Sequence, residues 1–146
     1  MAITSAICNS FKQEILEAEH NFTATTGNTF NIALYTSSVT LGASTTAYSS
    51  SNEITNSSGT AYTAGGASLT SVTPTLDSST AVCDFSDVSW TSASFTANGC
   101  LIYNDSHSTD AAVCAVAFGG DKTVSSGTFT VQFPAAAATT AIVRIA

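Results

Sequence analysis

Charge is what this sequence has least of. Only 13 of its 146 residues are ionic, 3 Lys or Arg against 10 Asp or Glu. That is 9% of the chain, where an ordinary soluble domain carries about 25%. The three cations, Lys12, Lys122 and Arg144, are scattered, and the formal net charge is −7. A negative field without a basic patch repels phosphate, which argues against direct nucleic-acid binding and against docking on an anionic membrane. Long apolar runs are missing as well. None approaches the ~18 residues that a membrane-spanning helix needs. Residues 1–8 have neither a basic start nor a long apolar stretch, so no secretory signal is expected and synthesis in a cytoplasm is.

Catalytic and metal-binding residue types are equally sparse. The two histidines are His20 and His107, and the four cysteines are Cys8, Cys83, Cys100 and Cys114, with no CxxC and no close Cys/His pair. Zinc needs paired short spacings, so that one turn presents two ligands together. Cys83, Cys100 and Cys114 lie in apolar strand-like runs, which reads as buried reduced thiols, with a single disulfide as the alternative. The segment Asn104-Asp-Ser-His-Ser-Thr-Asp110 brings Ser, His and Asp together, but one short loop does not supply a rigid nucleophile, an oriented base and an oxyanion hole. It also lacks the ligand order and closing glutamate of a calcium loop. Asp84 and Asp87 point to opposite faces if the chain there is a strand. Gly119-Gly-Asp-Lys122 lacks the spacing and the following helix of a phosphate loop. No carboxylate pair flanking a cleft can be nominated. No cofactor, metal or catalytic residue is expected.

What is abundant is hydroxyl: 22 Ser and 24 Thr. With 44% hydrophobic residues, the chain is too apolar to be a disordered tail. Its surface must be hydroxyls and small apolar groups, and β-branched Thr suits a pleated sheet. A single domain over 1–146 follows from the length. Ile7, Phe11, Ile15 and Ala18 fall on one stripe at helical spacing, so residues 1–20 hold an amphipathic helix, started at Thr4 or Ser5 or by a Ser10/Gln13 capping box. Phe30, Ile32 and Leu34 then alternate as a half-buried strand. Residues 37–60 form a long Ser/Thr-rich excursion anchored by Leu41, Tyr48 and Ile54. Short strands follow at 69–73, 81–85, 88–90, 94–96, 100–103, 113–118, 128–133 and 141–145. The turn signals between them include Pro74, Asn98-Gly99, 104–110, Gly119-Gly120-Asp121, 125–127 and Pro134. The pattern predicts a mainly β fold, an antiparallel, jelly-roll-like β-sandwich with one N-terminal α-helix.

Several segments together carry a resemblance. They are Ser10-Phe-Lys-Gln-Glu-Ile-Leu16, His20-Asn-Phe-Thr23, Thr29-Phe-Asn-Ile-Ala-Leu-Tyr-Thr-Ser-Ser38, Asn52-Glu-Ile54, Gly59-Thr-Ala-Tyr-Thr-Ala-Gly-Gly66, Phe118-Gly-Gly-Asp-Lys122 and 127–134. Spread over nearly the whole chain, they resemble small structural proteins of tailed-bacteriophage virions, and among these the capsid decoration or cement proteins. The resemblance implies a non-enzymatic protein on the outer surface of a virion shell. Its partners would be the major capsid protein and copies of itself, as a homotrimer. On that expectation the helical segment and the excursion make the contacts, with Phe11, Ile15, Tyr48 and Tyr62 as interface residues. The alternative within a virion is a tail, baseplate or fibre component. A host-glycan module using Trp90 and the tyrosines as a stacking platform is a further class.

Overall fold

A computed structural model describes residues 2–146. The elements are β1 (Ala6–Ile7), α1 (Asn9–Leu16), β2 (Phe30–Tyr35), β3 (Ala67–Ser68), β4 (Ser71–Asp77), β5 (Thr80–Phe85), β6 (Val88–Asn104), β7 (Ala111–Val131) and β8 (Val143–Ile145). The expected class is the one found: mainly β, two antiparallel sheets and one short helix. The strands divide five and three, in the orders β1-β7-β6-β2-β3 and β4-β5-β8.

The helix is shorter than its sequence stripe. Ile7 belongs to the stripe, yet Ala6 and Ile7 pair with Ala115 and Cys114 of β7. Exposed backbone on β7 thus captures the first part of the predicted helix as a strand. Cys8 becomes the N-cap, with no side-chain cap bond, so neither Ser10 nor Thr4 starts the helix. At the other end Ala18 takes φ 61°, and the Glu19 N–H reaches back to the Glu14 carbonyl at 3.0 Å, closing the last turn.

The larger revision concerns β6 and β7. Five short predicted strands and three predicted turns merge into one antiparallel hairpin of 17 and 21 residues. Asn98-Gly99 and Gly119-Gly120 do not reverse the chain. They sit where the ladder slips, the register shifting between Ala97 and Gly99, while Gly119 and Gly120 adopt φ of +76° and +129°. Such bulges bend a strand without ending it. The bend is large. Phe118 and Phe129 are eleven positions apart on β7, about 36 Å if straight, but their ring centroids lie 6.2 Å apart. Only 105–110 is a true reversal, closed by the His107 N–H on the Asn104 carbonyl and the Asp110 N–H on the His107 carbonyl.

Both faces of the β2–β6 region are covered. Residues opposite one another in a ladder point to the same side, so Phe30, Ile32 and Leu34 share a face with Asn104, Ile102 and Cys100. This inner face meets the small sheet. Phe30 stacks on Phe22 at 4.3 Å and lies 6.0 Å from Phe85 of β5. The opposite face, with Tyr35, Leu101 and Tyr103, lies under the excursion 37–60, whose Tyr48 stacks on Tyr103 at 4.6 Å. Burial on both sides explains why residues 99–104 lack alternation. Pro74 is in β4, an outer strand, next to a register shift. There its missing N–H leaves the ladder little disturbed.

Close backbone approach fixes one glycine. Gly66 has φ +79°, and a Cβ there would run into the Ile32 carbonyl. Gly66→Ala is expected to lower stability by more than about 2 kcal/mol, read as a fall in the urea midpoint with an unchanged slope. Gly119→Ala, in open space, should lose only the smaller backbone term.

Candidate functional site

Two polar clusters lie inside the chain. The first is centred on Glu53, which is 6% exposed. Its carboxylate accepts hydrogen bonds from the Tyr62 hydroxyl at 2.6 Å, the Tyr48 hydroxyl at 2.7 Å and the Gly65 N–H at 2.8 Å. The Tyr62 oxygen in turn accepts the Leu34 N–H at 2.8 Å. Tyr103 donates to the Gly65 carbonyl at 2.7 Å and Tyr35 to the Ser49 carbonyl at 2.7 Å. These bonds bind the excursion to the main sheet, and they pair each buried polar atom that takes part. Burial first, then the Glu53 hydrogen bond, pushes the Tyr48 and Tyr62 phenols well above the usual tyrosine range.

The second cluster ties the helix to the hairpin tip. Fully buried Asn104 directs its amide nitrogen at the Glu19 carbonyl, at His20 Nδ1 (3.1 Å) and at Asn28 Oδ1. Its oxygen accepts the Ser106 N–H at 3.0 Å. With His20 Nδ1 accepting, Nε2 carries the proton and donates to Glu14 at 2.7 Å. The His20 ring packs 4.9 Å from Phe11 and 6.2 Å from His107. Among the described residues no three His, Cys, Asp or Glu side chains are placed to hold a metal ion.

All four cysteines are free, in line with reduced thiols. Burial pushes Cys83 up to about 11 and Cys100 up to about 12. Burial and then the Glu14 charge push Cys8 up to about 11. A thiol held protonated is neither a nucleophile nor a ready redox group.

The four expected interface residues separate into two kinds. Phe11 is 3% and Tyr62 1% exposed. Tyr62 packs inside the chain and presents no surface to a partner, and Phe11 shows only the floor of a cleft, so for both the expectation of an exposed interface side chain is corrected. Helical spacing identifies a buried stripe without telling whether the chain itself or a neighbour covers it. Ile15 and Tyr48 are half-buried. The excursion as a whole turns Val39, Leu41, Glu53 and Ile54 inward and presents mainly small polar residues outward. Trp90, at 7% exposure, packs 5.9 Å from Tyr62 and 6.2 Å from Phe129. None of the exposed large hydrophobic side chains is aromatic, which leaves the glycan platform without an open ring at Trp90 or at Tyr62.

Besides a hydroxyl-lined cleft of 430 Å³ within the excursion, three clefts are largely apolar. One of 460 Å³ lies inside the bend of the long hairpin, among Ile102, Val116, Phe118, Phe129 and Phe133, with Lys122 beside it. Two more, of 410 and 320 Å³, run between α1 and the small sheet and share Phe11, Ile15, Val143, Arg144 and Ile145. Sequence reasoning missed these clefts, because they are made by elements distant in the chain. The available signal was Leu16, an apolar residue off the helical stripe.

Removing the anchor of the first cluster should be severe. Glu53→Ala strands the buried Tyr62 hydroxyl, the half-buried Tyr48 hydroxyl and an N–H, and is expected to lose about 3 kcal/mol or more in urea unfolding, against about 1 kcal/mol for Tyr48→Phe. The alkaline limb of stability follows from the raised groups. Each thiol and phenol holds its proton more tightly folded than unfolded, so the unfolded chain releases protons first. Stability should therefore be fully present below the ordinary thiol and phenol values of 9.0 and 10.0. It should fall as pH rises above them, measured as a decreasing melting temperature.

No family model matches this chain, and no curated protein or solved structure does either.

Proposed function

We propose that this chain is a non-enzymatic structural protein of a phage virion, a decoration protein that binds the outer surface of the shell and assembles with copies of itself. The observation that carries the reading is the placement of charge. The two buried clusters use their ionisable groups to hold the fold together. By contrast, none of the three cations has a carboxylate within ion-pair distance among the described residues, and each lines an apolar cleft. In a chain with ten carboxylates, cations left unpaired beside apolar surface suit contact with other protein surfaces. The hydroxyl-covered exterior suits broad contact too, since uncharged groups are cheaper to desolvate than ions. Many modest contacts repeated over a shell add avidity, so no single deep site is required. The phage context and the trimeric, capsid-bound arrangement come from the sequence resemblance alone.

Deleting residues 1–20 is a poor test, because Ile3, Cys8, Phe11 and His20 are buried and the fold would go with them. Copy number is a better one. Quantitative mass spectrometry of purified particles should find hundreds of copies per virion. A handful of copies would place the chain in the tail, baseplate or a fibre, and its absence from particles would overturn the virion reading.

A further inference from the structure

Among the described residues, three of the four exposed large hydrophobic side chains belong to one end of the molecule. Leu16 at the end of α1 is 88% exposed, Leu76 of β4 is 72% and Ile145 of β8 is 56%. Leu76 and Ile145 flank Ala81 in one row across the small sheet. Leu16 and Ile145 line the same cleft between α1 and β8, together with Ile7, Phe11, Ile15 and Val143.

Two of the chain's three cations, Lys12 and Arg144, line that cleft. Among the described residues Lys12 Nζ reaches only the Asn9 side-chain oxygen at 3.3 Å, and Arg144 Nη1 only the Ala138 carbonyl at 2.9 Å. The cleft therefore calls for an apolar group followed closely by a carboxylate. The chain carries that pair itself, directly beside the cleft: Leu16 followed by Glu17, also exposed, whose carboxylate accepts from the Gln13 amide at 2.8 Å. Geometry keeps this pair out of its own cleft, since Leu16 remains almost wholly exposed.

We propose that this surface joins copies of the chain, Leu16 of one copy entering the α1–β8 cleft of the next and Glu17 meeting Lys12 and Arg144 there. The assignment rests on the self-assembly part of the reading above and names its contact. A projection of one copy entering the cleft of the next is a head-to-tail contact, which forms a closed ring where the rotation between copies divides a full turn and a fibre where it does not. The charge pairs fix which way the copies face, and like charges brought together penalise other arrangements.

Sedimentation equilibrium of the purified full chain at micromolar concentration tests this. The wild type should have a mass that is a small multiple of 14.8 kDa. Leu16→Asp should reduce it to the single-chain mass with an unchanged circular dichroism spectrum, because the side chain is exposed. Lys12→Glu and Glu17→Lys should each weaken association at least tenfold, and the double reversal should restore it. A monomeric wild type, or an oligomer indifferent to Leu16→Asp, would overturn the proposal. So would a double reversal that fails to recover association while both single variants remain folded. An oligomer with this mutational pattern that is absent from virions would leave the contact standing and remove the shell reading, so the two failures are separable.

Discussion

A strand of twenty-one residues spans about 70 Å when extended, far more than a chain of this length can accommodate in one folded body. β7 is such a strand, and its bending sets the rest of the molecule. Register slips along β6 and left-handed glycines in β7 fold the hairpin back on itself, so that one ladder walls two parts of the core. The proximal part takes β1 and β2 on its edges. The distal part turns Trp90, Phe95 and Phe129 into an aromatic group that Tyr62 completes. The apolar cleft with Lys122 is the inside of that bend.

Because the sheet is covered on both faces, polar groups cannot remain free inside. Glu53 and Asn104 answer this at the two ends of the β2–β6 region. Each collects donors or acceptors from segments that have no ladder of their own: residues 48–65 for Glu53, residues 19–28 for Asn104. The Ser/Thr-rich excursion is therefore a fixed cover. Its composition gives the outer side of that cover, while Val39, Leu41, Tyr48, Glu53 and Ile54 give the inner side. Partly satisfied networks of this kind are costly, which explains why so few ionisable groups are buried and why those few are so fully bonded.

Much of the architecture was legible in the residues. Alternation in Phe30, Ile32 and Leu34 placed β2, and the apolar positions of 81–85 placed β5. The polar stretch 104–110 located the hairpin reversal. What misled was turn chemistry. Asn98-Gly99 and Gly119-Gly120 have the composition of chain reversals, but glycine also serves a bulge, and only the partner strand decides which. The helix start failed for a related reason, since pairing with β7 outweighs a local stripe. At the surface, aromatic residues were a poor guide, because Tyr62 and Trp90 are large enough to be drawn into the core. Leu16, outside the stripe, was the better indicator.

The connectivity of the main sheet also orders events in time. Ala6 and Ile7 pair with residues more than a hundred positions later, at Ala115 and Cys114, and β5 is flanked by β8, some sixty positions away. Such pairings must close very long loops before they gain anything in return. The helix stripe therefore stays partly uncovered on the nascent chain until β7 and β8 have been made. A sequence so poor in charge has little repulsion to keep those surfaces apart on neighbouring chains, so slow synthesis or crowding favours aggregation before folding.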